Sequence, residues 1–220
     1  MKYKYLILDF GNVIVTPTTG DWNITPKFLE LVDINKVSNL RLKRTVKKYS
    51  YLLSEQMTTL EEEYDMFIRF YDSILSSIDY PSYDIKIAKE IAYNRTYEHD
   101  KYTLCDNIVN ELEYLSKKYK LIMLTDNWPC VIPYLKDNNI YDYFDKIYIS
   151  SVYHAVKKDG ILFDYVINDY NIKPHEALFI DDYELNLDVA LSKGFDVLLM
   201  DRYNSNAKSK HKVINDLMHL

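Results

Sequence analysis

The apolar run Leu6-Ile7-Leu8 stops abruptly at Asp9 and Gly11. A short run with no polar alternation reads as a strand buried on both faces, as in parallel sheets. Thr16 to Asn23 is turn-rich and has no apolar period. Thr25-Pro26 then supplies an N-cap and a first-turn proline for a short helix through Phe28, Leu29 and Val32. From there to about Arg95 the spacing is helical. The clearest segment opens at Thr58-Thr59, with Glu61 and Glu62 at capping-box spacing, and continues through Tyr64, Phe67, Ile68 and Tyr71 at i, i+3, i+4 and i+7. Pro81 interrupts it, and another helix runs from about Asp84. Nothing in this stretch alternates with period two, so residues 17–98 read as an all-helical insertion.

The second half changes rhythm. Ile108, Leu112 and Leu115 mark a helix, Leu121 to Leu124 a buried strand, Val131 to Leu135 a helix and Lys146 to Ile149 a strand. Leu162 to Ile167 predict a helix, Ala177 to Ile180 a strand, Leu185 to Leu191 a helix closing at Gly194, and Phe195 to Met200 a strand. Val213, Ile214 and Leu217 predict a terminal helix. Alternation at this spacing predicts an α/β fold, with a Rossmann-like parallel sheet and helices on both faces. The expected division is a catalytic core from residues 1–16 and 99–220, with a helical cap at 17–98 inserted after the first strand.

Composition narrows the function. The chain has 220 residues, 48% of them hydrophobic, which suits one core domain with an insertion and argues against disorder. A net charge of −6 argues against nucleic-acid binding through a broad basic patch. The basic cluster Arg41 to Lys48 reads as a solvated helix face. Cys105 and Cys130 form neither a disulfide framework nor a zinc spacing. Asp9 interrupts any signal-peptide core, and no run approaches the ~20 apolar residues of a membrane span. A cytoplasmic protein with no membrane or nucleic-acid partner is expected, as a monomer or a homodimer.

Three predicted strands end alike: Leu8 precedes Asp9, Leu124 precedes Thr125-Asp126, and Ile180 precedes Asp181-Asp182. Strand ends of a parallel sheet share one edge, so these groups converge where open α/β folds bind ligands. Converging carboxylates repel unless a cation intervenes, and oxygen-only ligands of this kind suit Mg²⁺. Thr125 and nearby helix-start N–H groups would bind an anion, and Lys157 or Lys158 would balance charge.

On these residues the sequence resembles the haloacid dehalogenase-like hydrolases, in the branch with a helical cap after the first strand. The motifs are Leu8-Asp9-Phe10-Gly11-Asn12-Val13, Leu124-Thr125-Asp126-Asn127, Ser150 to Lys157 with Phe163 six residues beyond, and Phe179 to Asn186 in the Asp-Asp-x-x-x-Asn form. The resemblance implies that Asp9 is a nucleophile forming an aspartyl-phosphate. It implies Mg²⁺ held by Asp9, the Gly11 carbonyl and Asp182, with Asp181 and Asn186 behind them. It places Gly11, Asn12, Thr125, Asp126 and Lys157 around the phosphoryl group of a small phosphorylated metabolite, with Lys157 neutralising charge.

Two departures bear on activity. Phosphatases of the family usually carry a second Asp two residues after the nucleophile, as general acid and base; here that position is Gly11. General acid–base assistance is worth roughly 10²–10⁴-fold, so turnover is expected to be slow or confined to good leaving groups. Asp126 stands where the family usually has Asn, which puts a negative charge beside the expected phosphate unless the side chain turns away or approaches the metal. The alternatives are a hydrolytic dehalogenase and a catalytically weak binding or regulatory protein. Dehalogenases of the family use no metal and resemble neutral residues at the positions of Asp181-Asp182.

Overall fold

The structure, a computed structural model, describes residues 2–78, 80–81, 83–204 and 208–220. The strands are β1 (Tyr5–Leu8), β2 (Val15–Pro17), β3 (Tyr102–Leu104), β4 (Lys120–Thr125), β5 (Phe144–Ile149), β6 (Ala177–Asp181), β7 (Asp196–Met200) and β8 (Val213–Ile214). The α-helices are α1 (Pro26–Leu31), α2 (Asn39–Tyr49), α3 (Leu60–Ser77), α4 (Ile85–Tyr93), α5 (Ile108–Ser116), α6 (Val131–Asp137), α7 (Ser150–Tyr153), α8 (Ile161–Tyr170) and α9 (Glu184–Ser192). The chain divides into two compact units, one of Met1–Thr16, Leu104–Asn127 and Leu135–Leu220, the other of Pro17–Thr103 and Trp128–Tyr134.

The first unit is built on a six-stranded sheet in the order β5-β4-β1-β6-β7-β8, with every described pairing parallel. Leu6, Ile7 and Leu8 are fully buried, as an unbroken apolar strand between two neighbours requires. The chain moves outward from β1 to β4 and β5, then returns past β1 to β6 and β7. Right-handed crossovers in opposite directions put α5 on one face and α8 and α9 on the other. The second face carries a core of Ile7, Ile122, Leu124, Phe163, Phe179, Leu187 and Phe195. The reversal of direction makes the carboxyl end of β1 a topological switch point.

The terminal helix does not form. Val213 and Ile214 instead pair in parallel with Leu199 and Met200 of β7. Two adjacent β-branched residues suit an edge strand better than a helix, and Asn215-Asp216 turn the chain directly after them.

The second unit is organised around α3. Its capping box forms between Thr59 and Glu62, and Met66, Phe67, Phe70, Tyr71, Ile74 and Leu75 are buried along one stripe. Ala88, Ile91 and Ala92 of α4 and Phe28 of α1 join the same core. Thr25 caps α1, with Pro26 in its first turn. Arg95 is buried here, donating to the Trp22 carbonyl oxygen at 2.5 Å and lying 4.2 Å over the Phe67 ring. The Glu63 carboxylate accepts from the Cys130 N–H at 2.8 Å. The basic residues of α2, Arg41, Lys43, Arg44, Lys47 and Lys48, are all exposed. Among the described residues no helix is long and apolar enough to cross a membrane.

Candidate active site at the carboxyl edge of the sheet

Asp9 follows β1 and keeps to the ladder for one residue more, its N–H donating to the Ile180 carbonyl oxygen at 3.0 Å. Leu8 is in register with Met123 of β4 and Ile180 of β6, so Asp9 stands level with Leu124 and Asp181. Lys157 arrives from the short 3₁₀ turn Lys157–Asp159 and is only 2% exposed. Its ammonium lies 2.9 Å from Asp9 Oδ1 and 2.6 Å from Asp181 Oδ2. Lys158, the other candidate, is exposed.

The two acids closing β6 have different surroundings. Asp181 is fully buried and accepts from Lys157 Nζ, from Asn186 Nδ2 at 3.1 Å and from the Tyr183 N–H at 2.8 Å. Asp182 is half-buried and accepts from Asn12 Nδ2 at 2.7 Å. Ligand oxygens of Asp9, Asp181 and Asp182 all lie within 4.8 Å of one another.

Burial dominates the electrostatics. It pushes the Asp9 carboxyl up to about 8 against the pull of Lys157, and the charges of Asp181 and Asp182 push the same way. Burial also raises Asp182, with the Asn12 hydrogen bond opposing it. Burial alone would lower Lys157, but Asp181, Asp9 and Asp126 together hold it above an ordinary lysine.

The donor set fits a hard divalent cation. Asp181 accepts from three protein donors, whereas Asp9 and Asp182 each accept fewer and keep more oxygen lone pairs for a cation. One or two carboxylates and a backbone carbonyl are the usual protein share of a Mg²⁺ shell.

The loop after Asp9 is fixed by Asn12 and by two residues that the sequence pattern did not single out, Arg202 and Glu111. Asn12 takes a left-handed conformation at φ 52°, which lets its N–H reach the Val15 carbonyl oxygen at 2.7 Å. Arg202 donates from Nε and Nη2 to the Val13 carbonyl oxygen at 3.1 and 2.9 Å. Its Nη2 also meets the buried Glu111 carboxylate at 2.7 Å. A legible signal existed: Arg202 lies just beyond β7, on the same edge of the sheet as Asp9.

Thr125 is buried at the end of β4, paired with Ile149 of β5. Asp126 turns to the lysine loop, its Oδ1 accepting from the Lys157 N–H at 3.0 Å. Asn127 is tied to Ser150, whose Oγ accepts from its N–H at 3.0 Å. Asn12 and Asp126, expected around the phosphoryl group, thus bond the Asp182 carboxylate and the Lys157 main-chain N–H respectively. His154 is exposed and ends α7 in a left-handed conformation. Trp22 and Trp128 pack within the second unit, against Tyr102 and Phe67 respectively.

The chain is similar to known proteins, three of which show the range. A D-ribitol-5-phosphate phosphatase of Bacteroides thetaiotaomicron is 29% identical over 98 residues, which cover 40% of this chain and 48% of that protein. The chain therefore spans about half the length of this curated relative. The putative HAD-hydrolase YfnB of Bacillus subtilis, solved bound to magnesium, superposes with a TM-score of 0.70 at 17% identity, covering 100% of this chain and 97% of that one. The L-2-haloacid dehalogenase of Xanthobacter autotrophicus gives 0.63 at 15% identity, with 98% and 95% covered. Both likenesses establish the fold alone. The family described as haloacid dehalogenase-like hydrolase matches residues 26–200, a span that starts beyond Asp9 yet takes in the strand ends at Thr125 and Asp181. With that match over most of its length, this chain belongs to the haloacid dehalogenase-like hydrolases.

Proposed function

We propose that the protein is a Mg²⁺-dependent phosphomonoester hydrolase acting on a small phosphorylated metabolite through an aspartyl-phosphate on Asp9. The observation that supports this reading is the convergence of Asp9, Asp181 and Asp182, with the Lys157 ammonium against the first two. A dehalogenase needs neither the extra carboxylates nor a cation. Asp9, the Gly11 carbonyl and Asp182 would hold the metal, which when bound draws charge from the phosphoryl oxygens and favours ionised Asp9.

The chain's own groups supply the rest. An Asp9 oxygen attacks phosphorus while the ester P–O bond breaks, and water later cleaves the acyl-phosphate and restores the carboxylate. Lys157 offsets the charge of the nucleophile, and Asp181, held by Tyr183 and Asn186, keeps Lys157 in place. Thr125 and neighbouring N–H groups orient the phosphoryl oxygens. Residues 17–98 would be the helical cap and residues 1–16 and 99–220 the catalytic core, a division close to the two compact units of the chain. The two free cysteines suit a reducing cytoplasm.

The test is turnover of p-nitrophenyl phosphate with Mg²⁺ and with EDTA, followed by a panel of sugar and polyol phosphates, the class named for the curated relative. Mg²⁺-dependent phosphate release that vanishes in Asp9→Asn supports the reading. Halide release from 2-haloacids without metal would replace it with the dehalogenase.

A further inference from the structure

We propose that Asp126 is a positioning residue for Lys157, supplying from another element the cap that the lysine turn lacks; the catalytic consequence rests on the reading above. The first N–H groups of any helical turn have no partner within it. In the turn Lys157–Asp159 the N-cap position is Val156, whose side chain makes no capping hydrogen bond. The Lys157 N–H is met instead by Asp126 Oδ1 at 3.0 Å, from a residue 31 positions earlier, just past β4. A second tie lies beside it, where the Asn127 N–H donates to Ser150 Oγ at 3.0 Å and the Ser151 N–H to the Asn127 carbonyl oxygen at 3.3 Å.

This link matters because of what Lys157 must do. Its Nζ is placed within 3 Å of two carboxylates on two different strands, Asp9 after β1 and Asp181 in β6. A displacement of about 1 Å at such a group can cost up to about 10²-fold in rate. Asp126 also adds a third negative charge facing the ammonium. The oxygen acceptor, rather than the charge, is what satisfies the N–H, so asparagine can replace it and alanine cannot. The acid where the family usually has Asn therefore contacts the lysine turn of the protein itself.

The experiment compares wild type, Asp126→Asn and Asp126→Ala by hydrogen exchange at the Lys157 amide and by kinetics on p-nitrophenyl phosphate with Mg²⁺. The hydrogen bond is part-buried, and Asp126→Ala is expected to speed exchange about fivefold to tenfold. It is expected to lower kcat by about tenfold with KM changed less than about twofold. Asp126→Asn should recover the greater part of both losses, and melting temperatures should stay together. Unchanged exchange in Asp126→Ala overturns the proposal, and so does an Asn variant as impaired as the Ala one. If the wild type turns over no phosphate ester, the phosphatase reading falls, and the exchange measurement alone decides the role of Asp126.

Discussion

Replacing Lys157 by Met keeps the length of the side chain and removes its charge, leaving Asp9 and Asp181 to face each other without a cation. Lys157 is 2% exposed and touches both carboxylates at under 3 Å, so solvent cannot take its place. Breaking a buried ion pair by removing one partner costs about 3–5 kcal/mol, well above the value of a surface pair. For a chain of this size each kcal/mol lowers the melting temperature by roughly 2–4 °C, so a fall of roughly 6–20 °C is expected. The loss should depend on pH with a definite sign. Asp9 is held near 8 in the fold, far above an unfolded aspartate, so it binds a proton more tightly when folded. Such a group weakens the fold as pH rises from its unfolded to its folded value, and the effect levels off above that. Without Lys157 the folded value rises further. The gap between variant and wild type should therefore be nearly constant from about pH 5 to about pH 7 and widen above about pH 8. Thermal melts give the first quantity, and urea titrations by circular dichroism across pH give the second, both in EDTA. A destabilisation under about 1 kcal/mol, or a gap that does not change with pH, refutes the buried-triad argument. Adding Asp181→Asn should restore part of the loss, because it removes the carboxylate that Lys157 no longer pairs.

Asp182→Asn should weaken Mg²⁺ binding at least about tenfold by calorimetry, and an unchanged titration would move the ligand role to Asp181. Gly11 is not among the residues with positive φ, so Gly11→Asp imposes no left-handed strain. Across phosphate esters of rising leaving-group pKa, wild-type kcat should fall steeply and the variant less so; parallel slopes would mean that another group already serves as the acid. Burial raises the Cys130 thiol to about 12, so an unfolded chain loses that proton first and stability should fall by about 1.4 kcal/mol per pH unit from about pH 9 upward. Cys130→Ala should flatten that part of the alkaline limb in urea titrations, and an unaltered slope would assign it to buried tyrosines. Thr59→Ala should cost about 0.5–2 kcal/mol by removing the α3 capping box, read as a lower urea midpoint.

The elements were legible wherever one residue pattern admitted one structure. Leu6 to Leu8, Leu121 to Leu124 and Ala177 to Ile180 are apolar without alternation and became the central strands β1, β4 and β6. Thr59 with Glu62 announced the start of α3, and Thr25-Pro26 that of α1, because caps are local chemistry. Val213-Ile214 was misread because two apolar residues carry no period, and only the free edge of β7 selects a strand. The same limit applies to the site. That Asp9, Thr125 and Asp181 meet follows from parallel strand ends, but side-chain pairings across the edge do not. Asn12 reaching Asp182, Asp126 reaching the Lys157 N–H and Arg202 holding Val13 each join segments at least 30 residues apart.

Those three links also explain how one buried lysine can serve an edge lined with acids. Asp9, Asp126, Asp181 and Asp182 all act on a single ammonium or on one another, a surplus of negative charge that burial makes costly. The fold offsets each acid differently. Asp181 is held by Lys157 and two further donors, Asp182 by the Asn12 amide, and Asp126 by a main-chain N–H. Asp9 alone has just the lysine, and it is the acid whose carboxyl is driven to about 8. The nucleophile proposed for Asp9 must be ionised, so Asp9 is the position at which an added cation would change the protonation state most. On this argument Mg²⁺ should bind with release of a proton, and its affinity should rise with pH up to about 8 and then level off. Calorimetry in buffers of different ionisation enthalpy counts that proton directly. Binding without proton release at pH 7 would mean that Asp9 is already a carboxylate, and that Lys157 alone keeps it so.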